Sequence, residues 1–209
     1  FATYEGKVSY TDPDWVKVLS LFKQMADEKI LVSGAVTMVN KTAEQTFANE
    51  RAAYAFNGSW CVNVYKGMNP DLDYAPIPPP AISNAYPMKV WGGAGSSFVV
   101  NNGSPRRAEA VKFLRWLTSE DQQSYLAQAT ENLPSAKESL KHISPILAGF
   151  ADDMENATHP NLYPVHEYPE VSEAFNKGIQ SILIGEKTPE QVAQDVQKAK
   201  EKELAKNAK

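Results

Sequence analysis

The sequence predicts an α/β fold, because segments with the periodicity of amphipathic helices are interspersed with short extended segments. In the helical segments, apolar residues recur every three or four positions and form one stripe, as between Trp15 and Ala26. The extended segments alternate in polarity or are rich in β-branched and aromatic residues, and glycine or proline bounds them. The 209 residues, 43% hydrophobic and 22% charged, have the composition of an ordinary globular protein with one large or two small domains.

Two helices and four strands are predicted in the first hundred residues. The first helix begins at Asp12-Pro13, because aspartate accepts hydrogen bonds at a helix N-terminus and proline suits the first helical position. It ends near Lys29, a second helix spans about Thr42–Asn49, and Ser59–Tyr65 forms a short helix or a turn. The strands are predicted at residues 3–10, Ala52–Phe56, Leu72–Ile77 and Val90–Asn101.

The second half of the chain is predicted to be mostly helical. Ser104-Pro105 begins one helix, and Ser119–Gln122 is a capping box that begins the next. Further helices are predicted over residues 145–156, from Pro169 to Gly185 and from Thr188 onward, with a proline-punctuated loop over residues 157–169. The charged segment at the end of the chain, KAKEKELAKNAK, is predicted to fray.

Charge and motif content argue against several classes of function. The net charge of −4 disfavours a nucleic-acid partner, which requires a basic face, and no apolar run approaches the roughly 18 residues of a membrane helix. The chain has no nucleophile elbow and no phosphate loop, and His142, His159 and His166 are too dispersed for a metal site. We therefore predict no enzyme, no cofactor and no metal. Cys61 is the only cysteine and is predicted to be a buried small residue.

Trp60 is the strongest candidate for a binding residue. It follows an Asn57-Gly58 turn at the predicted end of a strand, where a large aromatic side chain is poorly placed for burial. An exposed indole is a flat platform for a flat partner such as the apolar face of a sugar ring, whereas the alternative is a tryptophan of the core. Asn57 is predicted to cap the turn, with a hydrogen bond to ligand as the alternative. Trp15 and Trp116 lie on amphipathic helices and are predicted to be structural.

Residues 47–60 resemble a signature of the family 1 extracellular solute-binding proteins, the receptors of ABC importers, which include the maltose-binding protein. The chain departs from the signature at Glu50-Arg51, where Gly-Lys is usual, and at Tyr54, where Met is usual. The positions that agree are Phe47, Ala52, Ala53, Gly58 and Trp60. Other family-like segments follow in order, namely YAPIPPP, WGGAGSSFVVN, SPRRAEAVKFLRWLTSEDQQ, NLPS and IQSILIGEKTPEQVAQDVQKA. This ordered series argues against a chance match.

The resemblance implies a type II periplasmic-binding-protein fold, of which this chain is the C-terminal half. Residues 1–95 and 143–209 would form the C-terminal lobe, and residues 96–142 would be a segment that packs on the N-terminal lobe, which is absent from this chain. The apolar stripe of Phe113, Leu114 and Leu117 would then lack its cover. We expect a second copy of the chain, or a bound fragment of the other lobe, to dock on this helical face.

The resemblance also implies a ligand cleft between two lobes. The implied ligand-binding residues besides Trp60 come from the glycine-rich crossing at the cleft floor and from the loop before Pro169. They are Trp91, Gly92, Gly93, Tyr163, His166, Glu167 and Tyr168. Glycines would let a ligand approach the backbone closely. The loop departs from the maltose-binding pattern, because Val171-Ser172-Glu173 stands where a Trp-Tyr pair is found.

The implied function is that of the substrate-binding component of an ABC transporter. It would capture a sugar or oligosaccharide by hinge closure and deliver it to the membrane permease subunits. The alternative is the same class of receptor for a polyamine, a peptide or an iron complex. A cleft with one acid, Glu167, favours a neutral polyol over a cation. An enzyme such as a glycosidase would need two carboxylates on either side of the bond that it cleaves, and the sequence indicates no such pair. A third alternative, a structural or interaction domain, would leave Trp60 and Trp91 unexplained. The implied location is periplasmic or extracellular and membrane-associated, free or as a lipoprotein, with the signal peptide outside a chain that starts at Phe1.

Overall fold

The structure, a computed structural model, describes residues 2–81, 88–92, 97–158 and 167–207. The chain forms two compact units, Phe1–Val39 with Tyr163–Lys209, and Asn40–Leu162. The described residues are mainly helical. The α-helices are α1 (Pro13–Asp27), α2 (Asn40–Ala48), α3 (Cys61–Met68), α4 (Arg107–Leu117), α5 (Glu120–Thr130), α6 (Pro145–Asp152), α7 (Pro169–Leu183) and α8 (Pro189–Asn207). The strands are β1 (Val90–Trp91) and β2 (Ala157–Thr158), and 3-10 turns cover Ala35–Thr37, Lys137–His142 and Asp153–Asn156.

The first unit packs α1 against α7 and α8. Trp15 packs against the core of this unit and donates from Nε1 to Thr3 Oγ1 at 2.9 Å, so its predicted structural role is confirmed. The helices α7 and α8 approach closely at Gly178, where an added Cβ would lie 2.3 Å from Val192 Cγ1. The buried apolar residues of the core are Tyr10, Leu19, Val171, Ile182, Val192, Ala193 and Val196.

The helix boundaries of the first unit follow the predicted capping residues. Asp12 caps α1 by accepting a hydrogen bond from Asp14 N at 3.0 Å. At the start of α8, Thr188 Oγ1 accepts from Gln191 N at 3.3 Å and Gln191 Oε1 accepts from Thr188 N at 2.9 Å, which is a capping box. Gly185, with φ +77°, follows the end of α7 as predicted.

The prediction that the C-terminal segment frays is wrong. The helix α8 continues to Asn207, and both Lys200 and Glu203 are buried. Their partners lie within the first unit, as described below for Lys200. The many charged residues of this segment therefore did not indicate that it is exposed, because Lys200 and Glu203 are paired inside the protein.

The second unit contains an aromatic cluster between α2, α3 and the extended segment that follows α3. Tyr65 is buried, and its ring centroid lies 5.0 Å from that of Phe47 and 5.6 Å from that of Tyr74. Ala48 and Cys61 complete this cluster. The cluster holds the start of α3 against the end of α2.

A buried glutamine links α5 to the loop after it in the second unit. Gln123 Nε2 donates to Leu117 O at 2.9 Å, and its Oε1 accepts from Ser135 N at 3.1 Å and Ser135 Oγ at 2.9 Å. Ser139 Oγ donates to Glu120 O at 3.1 Å from the next 3-10 turn. These bonds satisfy buried polar groups and fix the course of the chain from residue 117 to residue 139.

Most of the predicted strands are not formed among the described residues. Residues 3–10 form turns. Of the residues described within the predicted Val90–Asn101 strand, which are 90–92 and 97–101, only Val90–Trp91 pair, in parallel with Ala157–Thr158. A strand exists only where a second strand supplies hydrogen-bond partners, which local sequence patterns do not reveal.

The segments Ala52–Phe56 and Leu72–Ile77 were predicted as strands and are outside any sheet in the described structure. In the first segment, Tyr54 and Phe56 are 78% and 97% exposed. The second segment contacts α6, because a Cβ added to Gly149 would lie 2.6 Å from Pro76 Cγ.

The helix α4 has no buried residue in the described structure. Phe113 and Trp116 are 52% and 53% exposed, and their ring centroids are 5.6 Å apart. Trp116 therefore packs on Phe113 without being buried, and its predicted structural role stays a prediction. The predicted capping box of α5 is also not formed, because Ser119 Oγ donates to Trp116 O at 2.7 Å and accepts no hydrogen bond from the first turn of α5.

Candidate functional site

The candidate site is the turn that connects the extended segment 52–56 to α3. Asn57 Oδ1 accepts a hydrogen bond from Gly58 N at 2.9 Å, which is the capping role predicted for this side chain. Asn57 Nδ2 lies 3.3 Å from both Glu44 Oε1 and Tyr65 OH, to which it donates. One amide side chain thus ties the turn to α2 and to α3.

Trp60 lies at the N-cap position of α3 and is 60% exposed. The sequence predicted an exposed indole after a glycine turn, and the structure shows one. Its benzo ring lies against Gly58, because a Cβ added there would be 2.2–2.6 Å from the ring carbons Cζ3, Cη2 and Cε3. Real Cβ atoms do not approach carbon so closely, so this ring position requires glycine at 58.

The residues beneath the turn, Cys61 and Tyr65, are buried. Cys61 is buried as predicted, and burial raises the pKa of its thiol. Burial also raises the pKa of Tyr65 to about 12, against the opposing hydrogen bond from Asn57. A nucleophilic cysteine needs a lowered pKa, so Cys61 does not have the environment of a nucleophile.

Trp91 and Gly92 lie at the parallel pairing of β1 with β2. Trp91 is the last residue of β1, opposite Thr158. A Cβ added to Gly92 would lie 2.8 Å from Ala157 Cβ and 3.4 Å from Met154 Sδ. Close packing therefore accounts for glycine at position 92, and its contact with a ligand stays a prediction.

Glu167 and Tyr168 lie in the first unit around the ammonium group of Lys200. Glu167 Oε1 accepts from Lys200 Nζ at 2.8 Å and from Tyr168 N at 2.9 Å, and Glu167 Oε2 accepts from Tyr10 OH at 2.6 Å. The side chains of Lys200 and Glu167 are only 3% and 8% exposed. Lys200 Nζ also donates to Tyr4 O at 2.9 Å and lies 5.0 Å above the ring of Tyr168.

This arrangement gives Glu167 internal partners at both carboxylate oxygens, so its ligand-binding role stays a prediction. Burial and the hydrogen bond to Glu167 raise the pKa of Tyr10 above its usual range.

Lys200 was not singled out from the sequence, although a signal was present. It follows Val192 and Val196 at four-residue intervals, on the apolar stripe of α8, where a charged residue indicates a buried partner.

The remaining predicted ligand residues, Gly93, Tyr163 and His166, lie outside the described residues. A shallow cavity of about 540 Å³ in the second unit is lined by Leu140, Ile143, Ala148, Ala151 and Asp152, none of which was predicted to bind ligand. Across the described ranges, no group of three His, Cys, Asp or Glu residues is placed to hold a metal ion. None of the helices described is both long and apolar enough to cross a membrane.

Comparison with known proteins identifies relatives across most of the chain. The sequence model of the bacterial extracellular solute-binding proteins matches residues 2–158. A curated binding protein of Brucella abortus (strain 2308) is 23% identical over 199 residues, which are 91% of this chain and 46% of that protein.

The fold of the chain is similar to that of several solved binding proteins. A cyclo/maltodextrin-binding protein complexed with maltotetraose superposes with TM-score 0.71 and 20% identity, over 95% of this chain and 50% of that one. The maltose/maltodextrin-binding domain MalE from Bdellovibrio bacteriovorus, bound to maltotriose, gives TM-score 0.67 and 25% identity over 92% and 51%. A solute-binding protein from Thermotoga lettingae TMO bound with α-D-tagatose gives TM-score 0.63 and 21% identity over 91% and 50%.

The chain spans about half the length of the relatives it matches. The predicted division into residues 1–95 with 143–209 and residues 96–142 stays a prediction, and residues 96–142 all lie within the second unit. The predicted fold class is confirmed, because the chain superposes on solved solute-binding and maltodextrin-binding proteins. The family model matches most of the chain, in agreement with the motifs around Trp60, and the chain therefore belongs to the family of bacterial extracellular solute-binding proteins.

Proposed function

We propose that this chain is part of the substrate-binding component of an ABC transporter and that the ligand is a sugar or oligosaccharide. The observation that carries the proposal is the exposed indole of Trp60, held at the start of α3 within the family motif. Structural neighbours complexed with maltotetraose, maltotriose and tagatose support a sugar as the ligand.

In this proposal the indole of Trp60 stacks on one sugar ring. The axial C–H groups of a sugar present an apolar face, and the indole is the largest flat apolar surface among the side chains. The other proposed ligand-binding residues are Trp91, Gly92, Gly93, Tyr163, His166, Glu167 and Tyr168. Closure of two lobes around the ligand would then be a population shift driven by contacts with both lobes.

The exposed face of α4 is proposed to be an interface. Half-exposed Phe113 and Trp116 lie on a helix without a single buried residue. We propose that residues 96–142 pack on the N-terminal lobe in the whole receptor, and that a second copy or a fragment of that lobe takes this place for the chain alone. Contiguous exposed apolar surface marks such interaction sites.

The proposed location is the periplasm or the cell exterior, with association to membrane permease subunits and either a lipid anchor or a free state. We propose a receptor and not an enzyme, with no cofactor. A chromatographic assay checks this, because the receptor returns its sugar unchanged after prolonged incubation.

The test of the ligand is a calorimetric titration with maltotriose, maltotetraose, tagatose and a chitin oligosaccharide. Trp60→Ala is compared with Trp116→Ala, which removes another indole from the same unit, 53% exposed against 60% for Trp60. We expect saturable binding of at least one sugar, an affinity at least about 30-fold lower in Trp60→Ala, as for a central aromatic contact, and no loss in Trp116→Ala. Equal losses in both variants would contradict the platform.

A second candidate function is the same class of receptor for a polyamine, a peptide or an iron complex. Titration with spermidine and with a short peptide beside the sugars separates the candidates. Binding of either one, with no response to any sugar, would replace the sugar as ligand and keep the receptor.

A further inference from the structure

We propose that Gly58 and Asn57 are positioning residues that fix the indole of Trp60 in its binding orientation before a ligand arrives. The inference rests on the proposed function in so far as Trp60 contacts ligand. It deepens that function, because it identifies which residues hold the platform and by which contacts.

Gly58 supplies the surface on which the benzo ring of Trp60 rests. The three ring carbons that approach the position of an added Cβ, at 2.2–2.6 Å, belong to one side of the benzo ring. The φ angle of Gly58 lies outside the left-handed region, so alanine would fit its backbone conformation. The contact with Trp60 is therefore what requires glycine at this position.

Asn57 holds Gly58 in place. Its Oδ1 accepts from Gly58 N, and its Nδ2 donates to Glu44 Oε1 on α2 and to Tyr65 OH on α3. The two helices meet in the packed aromatic cluster of Phe47, Tyr65 and Tyr74. The indole is thus held relative to the core by the amide side chain of Asn57 and by the contact of the ring with the backbone of Gly58.

A side chain held in this way loses little rotational freedom when a ligand stacks on it. Immobilising a free side chain on binding opposes association, so an indole positioned in advance increases affinity without any additional contact. Substitutions at Gly58 and Asn57 should therefore weaken binding even though neither side chain needs to contact the ligand.

The experiment is ¹⁹F NMR of the chain labelled with 5-fluorotryptophan, combined with calorimetric titration of maltotriose. Trp→Phe substitutions assign the four tryptophan signals. Gly58→Ala is compared with Gly67→Ala, a matched control in α3 where an added Cβ has no neighbour within 4 Å. Asn57→Ala is the second variant and releases the turn without any clash.

We expect Gly58→Ala and Asn57→Ala to shift or broaden the Trp60 signal alone and to lower the affinity for maltotriose at least about tenfold. Gly67→Ala should change neither. With Trp60→Phe as background, Gly58→Ala should have little further effect, because the smaller ring no longer meets the new methyl group.

The positioning role is overturned if the Trp60 signal in Gly58→Ala and Asn57→Ala matches that in Gly67→Ala, or if the signal moves while the affinity stays constant. Failure of the proposed function is a separate result. If the unsubstituted chain does not bind maltotriose or the other sugars, the sugar ligand is wrong, and the ¹⁹F comparison still decides whether Gly58 and Asn57 hold the indole.

Discussion

Lys200 occupies a position in α8 where the spacing of Val192 and Val196 requires an apolar side chain. Its ammonium group is nearly inaccessible and is paired with the carboxylate of Glu167 and with Tyr4 O. Removing two charges from water is costly, and the pair is tolerated because each charge has several hydrogen-bond partners. At the residue scale, one buried ion pair thus links Glu167, just before the start of α7, to Lys200 of α8.

We expect Lys200→Met to destabilise the first unit by about 3–5 kcal/mol, because it leaves the Glu167 carboxylate buried without its counter-charge. Urea denaturation at neutral pH measures the change. Lys187→Met is the control, since it breaks an exposed ion pair with Asp195 and should cost less than about 1 kcal/mol. The double variant Lys200→Met, Glu167→Gln should recover part of the loss. A single variant no worse than the control would contradict the role of the pair.

At the element scale, three helix ends carry a charged residue where glycine is favoured. Lys29, Glu50 and Glu131 have φ angles of 55°, 59° and 48°, and they follow α1, α2 and α5 respectively. A left-handed conformation costs an L-residue roughly 1–2 kcal/mol, whereas glycine adopts it freely. Glu50 is also the position at which the chain departs from the Gly-Lys of the family signature.

Glu50→Gly should therefore stabilise the second unit by about 1 kcal/mol, through relief of the left-handed backbone. The midpoint of urea unfolding should rise. Asn49→Gly at the preceding position, which does not have a positive φ angle, is the control and should give no such gain. An equal change in both variants would show that the φ angle of Glu50 is not a source of strain.

Helix boundaries could be predicted from the sequence, because they depend on residues that are close in the chain. Asp12, Thr188 and Gly185 identified helix boundaries because a cap acts on its own helix. The strands could not be placed in the same way, since pairing depends on residues far away in the sequence. Val90 pairs with Ala157, and nothing around either residue indicates the other. Trp60 was predictable because its exposure follows from a local turn, whereas the contact of its ring with Gly58 required coordinates.

At the scale of the whole molecule, the described chain exposes much apolar surface in its second unit. The largest exposed apolar side chains of that unit include Tyr54, Phe56, Ile77, Phe98, Val99, Phe113, Trp116 and Tyr125. Such a surface is unusual for a protein that functions alone. Where it lies on extended segments without a paired strand, it favours association with another chain. This observation is consistent with the proposal that other polypeptide covers the face of α4.

We expect the 209-residue chain to self-associate and Trp116→Lys to weaken that association at least tenfold, because the exposed face of α4 would then carry a desolvation penalty on docking. Sedimentation velocity over a range of concentrations measures the effect. Thr118→Lys adds the same charge at an exposed polar position and is the control. A chain that stays monomeric at every accessible concentration would rule out the second copy as the occupant.

The first unit joins residues from near both ends of the chain. Lys200 Nζ donates to Tyr4 O, and Gln197 Oε1 accepts from Tyr10 N at 2.9 Å. During synthesis on the ribosome, α1 is translated before the second unit, whereas its packing partners α7 and α8 are translated after that unit. The residues of the second unit are complete before then, so the order of translation lets that unit fold first. Until α8 leaves the exit tunnel, the apolar stripe of α1 lacks the helices against which it packs, and the first unit forms only by closing a loop in which Tyr4 and Lys200 are separated by 196 positions.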